Sequence, residues 1–279
     1  MSSLTPETNR RTWATPEIAA HYASLDYLTP CERLLFETYI RPGSAVLDLG
    51  VGGGRTTAYL ASRASRYVGV DYAPEMIKAC RTRFPGLEFV EADAANLSMI
   101  PEASFDAVVF AYNGIDSVLP DQARIACLTH IQRILKAGGM LIFSSHNARA
   151  VLVRPGWNHN RLARMARRVS AGSKLLSRMI LALLTFVRSV LALGQAIGAS
   201  LPRLFQRMPT RAFWSGTGCF ADSAHGGLLT HCCIPDRAVG EVGALGFQAC
   251  RILGDDYPRP SHRFATDWYY CVFVKPGRL

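Results

Sequence analysis

Between Ser44 and Ser145, five short apolar runs alternate with stretches of helical period, and that rhythm sets the limits on how this chain can fold. The runs are Ser44–Leu49, Arg66–Val70, Leu87–Val90, Phe105–Tyr112 and Met140–Ser145. Each is four to eight residues long and mostly apolar, as expected of a strand covered on both faces. Helices are expected over Thr56–Ser62, Pro74–Phe84 and Gln122–Leu135. Strands that alternate with helices in this way predict βαβ units and a parallel sheet. The alternation resumes near Pro235, with a helix over Asp236–Leu245 and strands over Phe247–Leu253 and Trp268–Val274. The last strand has no helix before it, which predicts an antiparallel hairpin at the sheet edge. Ahead of the first strand, Thr15-Pro16-Glu17 and Pro30 carry helix-start signals. The expected fold class is therefore α/β: a seven-stranded, mostly parallel sheet with an antiparallel last strand and a helical insertion after strand five.

The turn after the first strand is Asp48-Leu49-Gly50-Val51-Gly52-Gly53-Gly54. Glycine lets the backbone take positive φ and approach a ligand closely. The helix that follows offers free N–H groups to an anionic group. A dinucleotide fingerprint started at Gly50 needs a small residue at position 55, where this chain has Arg55. Read as D-x-G-x-G-x-G, the loop fits without exception.

On these residues the chain resembles the class I methyltransferases that use S-adenosylmethionine (SAM), and the match continues beyond the loop. Val68-Gly69-Val70-Asp71 ends the second strand with an acid, and Val90-Glu91-Ala92-Asp93-Ala94 ends the third. Phe105-Asp106-Ala107-Val108-Val109 and Leu135-Lys136-Ala137-Gly138-Gly139-Met140 match the fourth strand and the approach to the fifth. The resemblance implies a Rossmann-like fold, SAM as cofactor and methyl transfer by in-line displacement. It implies that Gly50, Gly52 and Gly54 line the methionine moiety and that Asp48 helps to hold their loop. Asp71 would accept from both ribose hydroxyls, since a carboxylate offers two oxygens to a vicinal diol. Tyr72 or Met76 would pack on the adenine, and Asp93 would accept from its amino group beside the Ala94 N–H.

The acceptor belongs at the carboxyl ends of strands four and five. Polar groups there are Asn113, Asp116 and His146. His146 is the first candidate for a base, with an imidazole that merely fixes a loop as the alternative. His21 and Tyr22 on an N-terminal helix are candidates for closing over the site, and His225 and His231 are weaker ones. A [DN]-P-P-[YF] motif after strand four is absent, which argues against amino-methylation of DNA. No Pro-Cys pair follows that strand either, which argues against cytosine-C5 chemistry. Small molecules, sugars, lipid-linked intermediates, RNA and protein remain as acceptors.

The formal charge of +10 is concentrated in one region. From Gln122 to Ala221 there are 15 Lys and Arg and no Asp or Glu, leaving 16 basic against 21 acidic residues elsewhere. Within that region Asn160–Leu193 reads as a basic amphipathic helix, with Leu176, Met179, Leu183 and Val187 on one side and Arg164, Lys174 and Arg178 mostly on the other. Arg188 near the middle of the apolar stretch argues against a membrane span. The helix is read as a cap over the site, as a helix lying in an anionic membrane surface, or as a nucleic-acid surface, the last disfavoured by its few aromatic residues. Gly226–Ile234 is expected to be a strand returning toward the sheet, and Tyr257, Trp268 and Tyr269 to wall an acceptor pocket or pack in the core.

The whole is expected to be one domain over 1–279, with an N-terminal helical cap over 1–41 and the insertion over 148–233. The first residues carry no apolar stretch, so no secretory signal is expected and the location is read as cytoplasmic, with peripheral membrane contact an open option. Eight cysteines without a CxxC pair are read as reduced thiols, with Cys80, Cys127, Cys250 and Cys271 as core residues and no metal site. The leading functional expectation is a methyltransferase acting on a small molecule or glycan, possibly lipid-linked, at oxygen. The alternative is a SAM-fold protein that no longer catalyses and serves as a membrane- or RNA-binding module. An NAD-dependent reductase is disfavoured by Arg55.

Overall fold

The computed structural model describes residues 5–148, 166, 169–170, 173–198, 215–222, 227–258 and 266–277. Three short helices lead the chain: α1 (Pro6–Trp13), α2 (Pro16–Ala23) and α3 (Pro30–Tyr39). Each opens with Pro in its first turn, where the missing N–H costs nothing. Thr5 and Thr29 also close capping boxes, with Thr8 and Glu32 respectively. Then come β1 (Ser44–Leu49), α4 (Thr57–Arg63), β2 (Ala64–Asp71), α5 (Pro74–Arg83), β3 (Glu88–Glu91), β4 (Phe105–Phe110), α6 (Asp121–Ile134) and β5 (Leu135–His146). After these lie α7 (Lys174–Gly198), β6 (Thr217–Asp222), β7 (Leu228–Cys233), α8 (Pro235–Gly243), β8 (Gln248–Gly254) and β9 (Trp268–Val274).

Seven strands form one sheet in the order β3-β2-β1-β4-β5-β9-β8, parallel except for β9. Alternate residues feed two cores. Leu47, Leu49, Val108, Tyr269, Cys271 and Phe273 pack against α6 and α8. Val46, Val109, Ile142, Tyr270 and Val272 pack against α3, α4 and α5. Both faces are covered, so the runs are apolar rather than alternating. The chain leaves β1 for β2 and β3 on one side and returns to β4 on the other. The crevice outside the carboxyl ends of β1 and β4 is therefore the switch point where α/β sheets bind ligands.

The antiparallel hairpin expected at the sheet edge forms from β8 and β9: β8 takes the outermost place, and β9 lies between β5 and β8. Its side chains are apolar on both faces and belong inside, whereas β8 begins with exposed Gln248, Ala249 and Cys250 and takes the edge. Cys250 is accordingly not a core residue. The strand expected over Gly226–Ile234 forms as β7, but it pairs antiparallel with β6 in a separate two-stranded sheet. Cys232 and Cys233 point to opposite sides of it, one into a small cluster with Ala148 and Phe220, the other into the main core. The amphipathic helix is placed at Lys174–Gly198; most of Asn160–Gly172 lies outside the described residues.

Candidate active site

A cavity of about 760 Å³ opens at the switch point, lined by the loop after β1, the ends of β2 to β5, α1, α2 and the β6–β7 hairpin. That size suits a whole small-molecule ligand. Its floor is the glycine loop. Gly50, Gly52 and Gly54 all have positive φ, a region closed to most side chains. Gly50 and Gly52 line the cavity, and a Cβ on Gly50 would come within 2.5 Å of the Phe110 ring. Gly54 is not among the residues that line the cavity; a Cβ there would meet the Phe84 ring at 2.7 Å. Asp48 does not reach the cavity either. It accepts from the Thr56 hydroxyl at 2.6 Å and the Tyr67 hydroxyl at 2.9 Å, anchoring the exit of the loop from beneath. Burial pushes its carboxyl up to about 6 against those two hydrogen bonds.

Asp71, at the tip of β2, stands on the cavity wall with Tyr72 and Met76 beside it. One carboxylate oxygen accepts the Gly52 N–H at 2.9 Å and the other the Ala73 N–H at 3.0 Å. The group thus ties β2 to the glycine loop while keeping lone pairs for a ligand. Burial raises its carboxyl above the ordinary value, opposed by those backbone donors. Asp93 and Ala94 line the next part of the wall. Arg10 reaches over from α1, bonds Asp93 at 2.7 Å and lies 5.2 Å from the Tyr72 ring centre.

The far side of the cavity is built on a strained turn. Tyr112 and Asn113, which follow β4, have φ of 53° and 60°, rare for residues with side chains. The Asn113 N–H is pinned to the Ser144 hydroxyl at 2.7 Å. Its side-chain N–H lies 3.4 Å from His146 Nε2, and its Oδ1 is buried without a hydrogen-bond partner among the described residues. His146, at the end of β5, lines the cavity; Asp116 lies fully buried behind it. Asp116 holds the imidazole through Nδ1 at 2.8 Å and the His146 backbone N–H at 2.7 Å, and accepts the Ser145 hydroxyl at 2.8 Å. A second imidazole, His231 of β7, approaches the same carboxylate at 3.5 Å and meets Thr217 at 3.0 Å. Burial alone would raise the Asp116 carboxyl, yet the hydrogen bonds from His146 and His231 hold it below the ordinary value. A carboxylate only accepts, so Nδ1 carries a proton, and Nε2, on the opposite side of the ring from Asp116, is the nitrogen left for the cavity side. Phe220 and Trp268 meet the ring edge-on at 5.4 and 6.3 Å and fix its plane.

Sequence reasoning missed most of the roof. Asn9 of α1 is buried and bonds both backbone groups of Leu229, at 2.6 and 2.9 Å, stitching α1 to β7. Asp222, Leu228 and Thr230 of the hairpin thereby reach the cavity. Tyr22 lines the cavity, while His21 stacks on it from outside. Trp268 also lines it, but Tyr269 is core and Tyr257 lies apart. His225 is outside the described residues. Among the described residues none of α7 lines the cavity, whose roof is formed by α1, α2 and the hairpin.

Gly53, which the sequence reading did not single out, is where α2 meets the loop. A Cβ there would stand 2.2 Å from the Ala23 nitrogen and 2.4 Å from the Tyr22 carbonyl carbon, both backbone atoms. Arg83 also donates to its carbonyl oxygen. We expect Gly53→Ala to cost about 1–3 kcal/mol of stability, as overpacking does, read as a lower urea midpoint. An unchanged midpoint would mean that α2 does not rest on this loop.

The groups present fit a SAM molecule: a cradle without side chains, an acid at the second strand, and an acid with a backbone N–H at the third. Among the described residues no cluster of His, Cys, Asp and Glu is placed to hold a metal.

Comparison with known proteins agrees with this geometry. Residues 46–139 match the family described as "Methyltransferase domain". The chain is 36% identical over 102 residues to the demethylmenaquinone methyltransferase of Beutenbergia cavernae, covering 37% of this chain and 40% of that protein. It is 34% identical over 128 residues to the trans-aconitate 2-methyltransferase of Escherichia coli, covering 45% and 48%. The chain thus spans less than half the length of these curated relatives. Among solved structures, the CcbJ methyltransferase of Streptomyces caelestis superposes with a TM-score of 0.58 over 95% of this chain and 98% of that one, at 16% identity. The 1,6-didemethyltoxoflavin-N1-methyltransferase of Burkholderia thailandensis, solved with its substrate and S-adenosylhomocysteine, gives 0.52 over 97% and 84%, also at 16%. These likenesses show a shared fold.

Proposed function

We propose that this chain, whose residues 46–139 match the methyltransferase-domain family, is a class I SAM-dependent methyltransferase that methylates a hydroxyl group on an uncharged small molecule. SAM is the cofactor of that family, and when bound it supplies a methyl group on a sulfonium centre. The observation that carries the oxygen reading is the Asp116–His146 pair, which presents an imidazole lone pair toward the cavity. An amine acceptor needs only to be neutral, whereas a hydroxyl must lose its proton as the new C–O bond forms. His146 Nε2 takes that proton, and the buried Asp116 carboxylate stabilises the imidazolium that results. Asn113, beside Nε2 and with a free carbonyl oxygen, orients the acceptor hydroxyl. The Tyr112 and Trp268 rings, 6.0 Å apart, with the Arg55 guanidinium 4.7 Å from the Tyr112 ring centre, give the acceptor side of the cavity an aromatic wall.

The charge of the wall supports a neutral acceptor. Among the described residues that line the cavity, the only cations are Arg10 and Arg55, and each is already paired, with Asp93 and Glu32. A polycarboxylate would find no open counter-charge. Both curated relatives cited above carry small organic acceptors in their names, which favours a small molecule over RNA or protein. A glycan would stack on the same aromatic wall and remains within the class.

Methyl-labelled SAM offered with panels of phenols, sugars, amines and carboxylates tests this reading. Label is expected on hydroxyl oxygen of uncharged acceptors. Transfer only to nitrogen or to polycarboxylates would overturn it. Asp71→Ala should weaken SAM binding by about 1–3 kcal/mol in calorimetry, the usual cost of losing a charged hydrogen-bond partner. Unchanged affinity would remove Asp71 from the ribose.

A further inference from the structure

Among the described residues none of helix α7 lines the cavity, and its surface is unlike the rest of the described surface. Leu175, Met179, Leu183 and Phe186 are 71%, 62%, 61% and 66% exposed, with Leu176 and Val187 also open. These are six of the eleven large hydrophobic side chains that the described residues expose. At about 100° per residue the six fall within an arc of roughly 120° along one side of the helix. Lys174 and Arg178, both exposed, fall on the other side. The helix sits inside the acid-free stretch from Gln122 to Ala221, with its 15 Lys and Arg. Among the described residues no helix is long and apolar enough to cross a membrane.

We propose that α7 docks the protein on an anionic lipid bilayer, lying in the plane of the surface. Its apolar stripe enters the boundary between head groups and acyl chains, and the basic residues meet the lipid phosphates. Two other occupants suit the surface less well. A second copy pairing through this stripe would bring two acid-free, basic segments together, which like-charge repulsion opposes. A nucleic acid would answer the charge but leave the aliphatic stripe in water, and Phe186 is the one aromatic side chain on it available for stacking. An anionic bilayer answers both features at once.

Flotation of the full chain with vesicles of equal parts phosphatidylglycerol and phosphatidylcholine tests this directly. The protein is expected to float with them and to bind pure phosphatidylcholine vesicles at least about tenfold more weakly, with the gap closing as salt is raised. Leu183→Glu/Phe186→Glu changes two exposed side chains, so the fold and SAM binding should hold while flotation falls at least about tenfold. The proposal is overturned if the native chain stays with the soluble fraction. It is equally overturned if the double variant floats as well as the native chain, or if the variant's main effect is to dissociate a dimer seen by sedimentation. Capture by an RNA oligonucleotide in salt where vesicles no longer bind would assign the surface to nucleic acid instead.

Discussion

Replacing His146 with alanine is expected to lower turnover by about two to four orders of magnitude, the usual contribution of a positioned base, while SAM affinity stays where it was. The separation follows from geometry. The groups proposed to bind SAM, Gly50, Gly52, Asp71 and Asp93, lie at the carboxyl ends of β1, β2 and β3, whereas His146 ends β5 beyond the turn after β4. The ring is held at Nδ1 by a carboxylate, which leaves its other nitrogen to accept a proton, so the role proposed for it belongs to the chemical step. The imidazole also fills the space between Phe220 and Trp268. A purely spatial role would therefore raise KM and leave kcat largely intact. His146→Gln keeps polarity and part of the volume, yet it should be as slow as the alanine variant if proton transfer is what is lost. Full turnover in either variant would make His146 a wedge that shapes the acceptor wall.

Replacing Arg55 with alanine is expected to destabilise the fold by about 3–5 kcal/mol, because it leaves a buried charge without its partner. Glu32 is 1% exposed, and its two oxygens lie 2.7 and 2.5 Å from the Arg55 guanidinium. The same guanidinium donates to the Tyr27 carbonyl at 2.9 Å and lies 4.7 Å from the Tyr112 ring centre. One side chain thus joins α3, the Tyr27 segment, the glycine loop and the turn after β4. Glu32 also accepts the Thr29 N–H in its capping box, a bond that glutamine can still make. Glu32→Gln/Arg55→Met should therefore be more stable than Arg55→Ala alone, since the unpaired charge is gone. Urea titration reads both effects. A loss below about 1 kcal/mol in Arg55→Ala would show that Glu32 reaches water or another cation.

What could be read from the sequence was what depends on local period and on glycine. β1, β4 and β9 stand within two residues of their expected bounds, because an apolar run between polar or glycine punctuation has few alternatives. The cavity-facing loop was legible because positive φ, as at positions 50 and 52, strongly favours glycine. Gly54 looked equivalent in sequence, and only packing against Phe84 tells it apart. The antiparallel hairpin of β8 and β9 was legible because no helix precedes β9, and Tyr269 to Phe273, apolar on both faces, suit its inner place. Arg10 and Asn9 gave no signal at all, and His231 only a weak one. Their partners Asp93, Leu229 and Asp116 lie 83, 220 and 115 positions away, and no short-range pattern encodes such contacts. Arg55 was read only as a mismatch to a dinucleotide fingerprint; its pairing with Glu32 gives that mismatch a structural cause.

Titration of the full chain with SAM, S-adenosylhomocysteine and NAD in a calorimeter bears most directly on the crevice above Gly50 and Gly52. Saturable binding of the first two at one site per chain, weakened in Asp71→Ala, with no heat from NAD, is the expected result. Binding of NAD without SAM, or SAM affinity indifferent to Asp71, would contradict it.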